Sequence, residues 1–200
     1  RPFYWSPKDE GGCLLAYWQY AMGILDSGGP EFRVREWSDQ SGNGNHLIQA
    51  TLLNQPINGN GLTPNQGTIT FHSADEDHFT TSSQISLADD FTIGMMLYPE
   101  ETGITVLADV TTANEWMKIT ATDNLRLKID GNLVNLPLDV GNSFVDEKWI
   151  TIVITRDTSD LITLYFNGVA QDVTKTQAGV SDIDCFGIRQ GGTPNAYEGK

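Results

Sequence analysis

The sequence predicts an all-β domain built as an antiparallel sandwich or barrel. Short segments alternate apolar and polar residues with a period of two, most clearly Phe91–Leu97. Turn-forming residues separate these segments at short spacing, and no stretch of a dozen residues shows the 3.6-residue period of a helix. Repeats of fixed length are also absent, which disfavours propellers and solenoids. Many short strands joined by turns are typical of antiparallel sandwiches and barrels.

The elements follow one another in a simple order. An irregular lead-in at 1–12 precedes an apolar strand or buried segment at 13–20, and a strand, a polar loop and a second strand occupy 32–48. Further strands are predicted at 68–71, 91–98, 104–110, 115–121, 125–129, 149–156, 161–166 and 183–189, with a surface loop at 54–67. The range 83–89 is also compatible with one helical turn.

Two dipeptides predict tight hairpins. Asp130-Gly131 and Asn167-Gly168 each follow an alternating strand. Asp-Gly and Asn-Gly are favoured in type I′ turns because both central residues need a positive φ.

Composition limits the classes of function. The 200 residues suit one domain with a sizeable core. A formal net charge of −14 with only 12 scattered Lys and Arg argues against nucleic-acid binding, which needs clustered cations. No apolar run reaches the roughly 20 residues of a membrane span, so no membrane insertion is expected. The acidity is typical of colloidal solubility, a saline or extracellular setting, or attraction to cations.

Cys13 and Cys185 are the two cysteines, at opposite ends of the chain. They form a disulfide if the terminal strands lie side by side in an oxidising compartment, and otherwise act as two buried thiols. The sequence leaves both alternatives open.

The polar loop after Trp37 predicts a cation site. Oxygen-bearing residues and a glycine occupy positions 1, 3, 5 and 6 of an EF-hand-like pattern: Asp39, Ser41, Asn43 and Gly44. Position 12 is Ala50, where a calcium loop has Glu, so a Ca²⁺ ion would need Asp75 or Asp77 from the acidic turn at 73–77. The alternative is that Asp39 and Asn43 only accept hydrogen bonds from the backbone amides of the turn.

Aromatic side chains predict a contact surface for a sugar or a protein. Strand alternation places Trp116 on the polar face with Lys118, and an exposed tryptophan is suited to stacking. The alternative is that a neighbouring loop shields Trp116. Tyr98 and Tyr197 are further candidates. Trp37 and Trp149 are interpreted as core residues.

Motifs along nearly the whole chain resemble one family. They are Trp5-Ser6-Pro7-Lys8-Asp9, the Trp-x-Asp-x-Ser-Gly-Asn-Gly loop at 37–44, Leu164-Tyr165-Phe166-Asn167-Gly168, and Phe186-Gly187-Ile188 before Tyr197-Glu198-Gly199. The chain resembles the laminin-G-like jelly-roll modules of the concanavalin A-like lectin and glucanase superfamily. The resemblance implies one two-sheet, antiparallel jelly-roll domain over 1–200. Such modules continue into a final strand, which is either supplied from outside this chain or formed by residues beyond Lys200, and the second is the expectation.

The resemblance also implies a class of function. Such modules are found in bacteriophage virion proteins and bacterial surface proteins, so we expect a non-enzymatic attachment module of a virion surface that contacts other virion proteins or a host cell-surface glycan. The alternative is a carbohydrate-binding module of a secreted bacterial protein. A glycoside hydrolase is least favoured, because the Glu-x-Asp-x-x-Glu signature of the glucanases is absent. The acidic pairs at 75–77 and 146–147 have the pattern of turns, and His46, His72 and His78 complete no nucleophilic triad.

Overall fold

A computed structural model describes residues 16, 18, 23–27, 32–59, 68–146, 148–189 and 196–200. The predicted lead-in at 1–12, nearly all of the predicted strand at 13–20, and Cys13 lie outside these residues. Cys185 is a buried free thiol, and burial raises its pKa to about 12.

Strands make up about half of the described structure. In chain order they are β1 (Ile24–Asp26), β2 (Val34–Trp37), β3 (Leu47–Ile48), β4 (Ile57–Asn58), β5 (Ile69–Thr70), β6 (Phe79–Leu87), β7 (Phe91–Leu97), β8 (Ile104–Ala108), β9 (Trp116–Ala121), β10 (Asn124–Ile129), β11 (Asn132–Pro137), β12 (Ile150–Arg156), β13 (Leu161–Phe166), β14 (Val169–Ala170), β15 (Lys175–Thr176) and β16 (Ser181–Phe186). Short 3-10 helices span Leu52–Asn54 and Ser73–Asp75.

The strands form two main antiparallel sheets. The nine-stranded sheet has the order β1-β2-β3-β6-β16-β8-β9-β10-β11. The five-stranded sheet has the order β14-β13-β12-β7, with β15 also paired to β13, and β4 pairs with β5. β16 returns from the end of the chain to lie between β6 and β8, so neighbours in space are distant in sequence. The predicted antiparallel two-sheet jelly-roll sandwich is confirmed.

The two sheets pack face to face through one large apolar core. Alternate residues of every strand point inward, as the period of two requires. The fully buried members from both sheets include Ile104, Ile119, Leu125, Leu136, Ile150, Ile152, Ile154, Ile162 and Leu164. The opposite residues of the same strands form the two outer faces.

Arg156 at the end of β12 also ties the sheets together. Its side chain is fully buried, and its guanidinium donates hydrogen bonds to the carbonyl oxygens of Asp89 (2.8 Å from Nε) and Gly179 (2.6 Å). A third bond, of 3.3 Å, goes to the carbonyl of Leu87 at the end of β6, which belongs to the nine-stranded sheet. The guanidinium carbon also lies 4.8 Å from the centre of the Phe91 ring.

Both predicted hairpins have the expected backbone conformation. Asp130 and Gly131 have φ of 48° and 78° between β10 and β11, and Asn167 and Gly168 have 50° and 81° between β13 and β14. The predicted helical turn at 83–89 is wrong, because this range belongs mainly to β6, which pairs with β16 over much of its length.

No helix among the described residues is both long enough and apolar enough to span a membrane.

Candidate functional site

The polar loop at 39–45 is held by the carboxylate of Asp39. The backbone N–H of Ser41 donates to Oδ1 (2.8 Å), the Ser41 hydroxyl donates to Oδ2 (2.7 Å), and the Asn45 N–H donates to Oδ2 (3.1 Å). Gly42 and Gly44 have φ of 93° and 78°, which glycine adopts without steric cost. Asp39 therefore fixes the shape of the loop.

The acidic turn surrounds Arg33, which lies just before β2. Asp77 is fully buried, accepts a hydrogen bond from the His72 N–H (2.9 Å) and lies 3.6 Å from the Arg33 guanidinium. Burial raises the pKa of Asp77 to about 7, although the His72 N–H and Arg33 oppose this shift. Asp75 lies 3.4 Å from the same guanidinium.

The structure does not bring the predicted calcium ligands together. Asp39 binds within its own loop, whereas Asp75 and Asp77 face Arg33. Within the described ranges, no three His, Cys, Asp or Glu side chains gather as they would around a metal ion. The part of the prediction that recruits Asp75 and Asp77 to the loop is therefore corrected, while calcium binding by Asp39, Ser41 and Asn43 stays a prediction.

Tyr197 is not placed to contact a ligand. Only 3% of its surface is exposed, its ring packs edge-to-face on Phe71 at 5.6 Å, and its hydroxyl donates to the carbonyl of Lys200 (3.2 Å). Burial raises its pKa above the usual value. Tyr197 closes one end of the core, which corrects its assignment as a contact residue.

Tyr98 forms an aromatic pair with Trp149 at one end of the five-stranded sheet. The ring centres lie 5.7 Å apart in an edge-to-face arrangement, and the Lys200 ammonium lies 4.6 Å from the centre of the Tyr98 ring. Trp149 is 43% exposed, so its interpretation as a core residue is wrong. It directly precedes Ile150, whose side chain points inward, and alternation therefore turns Trp149 outward.

The outward side chains of β7, β12 and β13 in the five-stranded sheet are uncharged. Three rows of outward side chains cross β7, β12 and β13 in register, and we name them the threonine face: Met96 and Thr151; Gly94, Val153 and Tyr165; Thr92, Thr155 and Thr163. Met96 is 64% exposed, and a Cβ at Gly94 would meet only Val153 within 4 Å, at 3.9 Å. The aromatic pair extends this face at one end.

Trp116 lies on the outer face of the nine-stranded sheet. It is opposite Lys128 on β10, and the Lys118 ammonium lies 5.8 Å from its ring centre. The tryptophan is half-buried, so it is less accessible than the sequence predicts.

The cavity between the sheets, among the described residues, is too small for a ligand. A cavity of about 20 Å³ lies between the sheets, lined by residues that include Phe91, Ile93, Leu127 and Ile183. This volume is close to that of a single water molecule. A sugar ring does not fit there, so the outer faces are the better candidates for binding.

Comparisons with known proteins bear on the fold. No protein-family model and no curated protein matches the chain. Among solved structures, the chain is similar to the binding domain of Paraclostridial Mosquitocidal Protein 1 (18% identity, TM-score 0.56) and to the binding domain of botulinum neurotoxin serotype G (15% identity, TM-score 0.51).

These likenesses cover most of this chain, 87% and 77%, but only 45% of each of the other chains. The chain therefore spans about half the length of these neighbours. The likeness establishes a shared fold. At this level of identity it assigns no ligand and no residue role.

Neither Trp149 nor Tyr165 is predicted from the sequence as a surface residue, although Tyr165 lies on the threonine face and Trp149 belongs to the aromatic pair beside it. The signal was present, because each of them alternates with an inward residue of its strand. The predicted strand 149–156 begins one residue before β12, but alternation with the inward Ile150 turns Trp149 outward for either start.

Proposed function

We propose that this protein is a non-catalytic binding module and that its ligand surface is the threonine face with the aromatic pair. The observation that carries the proposal is the combination of three exposed or half-exposed rings and four threonine hydroxyls on one sheet face, with uncharged outward side chains on β7, β12 and β13 and the Lys200 ammonium beside Tyr98 at one end. Aromatic rings stack on the apolar faces of sugars, and hydroxyls exchange hydrogen bonds with sugar hydroxyls. The ligand we propose is a neutral glycan.

The carrier we propose is the surface of a bacteriophage virion, where the module attaches to a host cell-surface glycan. A secreted bacterial surface protein is the alternative carrier. The neighbours of known structure are called binding domains, which supports a binding module under either carrier.

A catalytic role has less support. Glycosidases need two free carboxyl groups on either side of the scissile bond. Asp75 and Asp77 face Arg33, and Asp146 lies 3.0 Å from the Lys148 ammonium, so these carboxylates form ion pairs in turns. Glu147 lies outside the described residues. We expect no release of reducing ends from neutral polysaccharides.

The two exposed faces provide a matched test. Binding of neutral polysaccharides is measured for the wild type, for Trp149→Ala, and for Trp116→Ala on the opposite sheet as the control. We expect Trp149→Ala to weaken binding about tenfold or more, since stacking on a large ring contributes one to several kcal/mol. Equal losses in the two variants, or no binding by the wild type, would contradict the proposed surface.

A further inference from the structure

The outer face of the nine-stranded sheet has a different chemistry at β9, β10 and β11. These three strands contain no Asp or Glu, although the chain has a net charge of −14. Lys118 lies opposite Arg126, and Trp116 lies opposite Lys128. We name the group of Lys118, Arg126, Lys128 and nearby Arg189 the basic strip.

The cations of the basic strip are close enough to affect one another. The pKa of Lys118 is lowered to about 8, mainly by burial and in addition by the positive charges of Arg189 and Arg126. Neighbouring cations repel one another, and a carboxylate or a bound anion usually compensates this repulsion.

Several cations of the described chain have carboxylate partners, whereas three members of the strip have none among the described residues. Lys148 lies 3.0 Å from Asp146 and Lys200 lies 3.2 Å from Glu100. Within the described ranges, no carboxylate oxygen lies within 4.0 Å of the cationic nitrogens of Arg126, Lys128 or Arg189.

The hydrogen bonds of Arg126 and Lys128 go to uncharged acceptors. Arg126 Nε donates to the amide oxygen of Asn135 (2.6 Å), and Lys128 Nζ donates to the carbonyl of Ala113 (2.6 Å). Arg189 Nε is buried and has no hydrogen-bond acceptor among the described residues. The half-buried Arg126 and Lys128 keep further N–H donors for an incoming anion, since a guanidinium has five N–H groups and an ammonium has three.

We propose that the basic strip binds the sulfate or carboxylate groups of an acidic polysaccharide, with the half-buried Trp116 ring beside the sugar. Arginine supplies two parallel N–H donors that match the geometry of these oxyanions. This is a second site, on the sheet opposite the threonine face, and it does not depend on the neutral-glycan proposal.

Dextran sulfate and uncharged dextran provide matched probes, and polygalacturonate tests carboxylates in place of sulfates. We expect the folded wild-type protein to bind dextran sulfate, polygalacturonate or both, and not dextran. Binding to one acidic polymer alone identifies the anion. Absence of binding to both acidic polymers would overturn the proposal.

Arg126→Gln tests the strip itself, and Lys175→Gln on the other sheet is the control with the same change in charge. We expect Arg126→Gln to weaken binding about tenfold, because a charge-assisted hydrogen bond is lost, and Lys175→Gln to change it less than twofold. Arg126→Lys should restore part of the affinity. Equal effects of Arg126→Gln and Lys175→Gln would show attraction by overall charge and would overturn the site.

The titration of Lys118 gives an independent readout. An anion bound in the strip should raise the pKa of Lys118 from about 8 toward the usual value, measured by NMR of the labelled lysine with and without the polymer. An unchanged pKa in the presence of bound polymer would place the polymer elsewhere. The variants Trp149→Ala and Arg126→Gln keep the two proposals distinguishable, because each removes one surface only.

Discussion

The outer faces of the two sheets differ in charge although both arise from the same alternation of inward and outward residues. The threonine face is neutral over three strands, whereas β9–β11 of the nine-stranded sheet carry cations and no acidic residue. Several of the acidic side chains lie in turns, where Asp39 and Asp77 bind loop amides. An overall charge of −14 therefore says little about the chemistry of either face.

The largest expected effect on stability is the difference between replacing the fully buried Arg156 and replacing the half-buried Arg126. Arg156→Gln should lower the free energy of unfolding by about 3 kcal/mol, because several buried carbonyl oxygens lose a charged donor. Arg126→Gln should change it by less than about 0.5 kcal/mol, because that side chain is only half-buried on an outer face. Denaturant unfolding of both variants measures the difference. Equal losses would mean that the basic strip is needed for folding rather than for binding.

Calcium tests whether the loop carboxylates serve only the fold. If the loop binds Ca²⁺, an ion at 100 times its dissociation constant should stabilise the protein by about 2.7 kcal/mol relative to EDTA, and Asp39→Ala should abolish that gain. If Asp39 acts only on the loop amides, Asp39→Ala costs about 1 kcal/mol with or without the ion. Thermal unfolding distinguishes the two results, and Asp123→Ala in an exposed turn is the control.

The next largest effect is the pH dependence of stability that comes from the buried carboxylate of Asp77. Its pKa is about 7 in the folded protein against an ordinary value of 3.8 for aspartate, so the folded state binds the proton more tightly. The resulting stability is present at low pH and is lost as the pH rises through about 7. We expect Asp77→Asn to reduce the difference in unfolding free energy between pH 5 and pH 8 by roughly 2 kcal/mol. The same pH dependence in both proteins would assign it to other groups.

A charge placed on the threonine face is expected to have the smallest effect on stability. Its effect on binding is expected to be large. Met96→Lys should change the free energy of unfolding by less than about 0.5 kcal/mol, because Met96 is 64% exposed. Binding of a neutral glycan should nevertheless weaken, since the ammonium would have to be desolvated beneath the ligand. Unfolding and binding assays on one preparation test both statements, with Met96→Gln as the neutral control. Unchanged binding by Met96→Lys would exclude this part of the face.

The sequence was sufficient to predict the parts of the fold that depend on neighbouring residues. The range 91–98 and the turns at Asp130 and Asn167 were predicted nearly residue by residue, because alternation and turn chemistry are local. The burial of Tyr197 was not predictable, since it depends on Phe71, which is more than a hundred residues away in the chain. The same holds for Asp77, whose partner Arg33 comes from another segment.

The candidate surfaces depend on which strands become neighbours. The positions of Lys118, Arg126 and Lys128 in the sequence show two adjacent strands with cations, but Arg189 reaches the strip only because the chain returns beside β8. The threonine face likewise combines β7 with β12 and β13, which are about 55 residues or more apart. Pairings over such distances leave no periodic signal in one sequence.

The basic strip in an acidic protein has a consequence for the kinetics of association. At low ionic strength the net charge of −14 repels an anionic polymer at long range, while the strip attracts it only after close approach. Salt screens the distant repulsion first, since the Debye length falls from about 30 Å at 0.01 M to about 8 Å at 0.15 M. Adding salt should therefore speed the encounter before it weakens the bound state, so the association rate should pass through a maximum between these two concentrations.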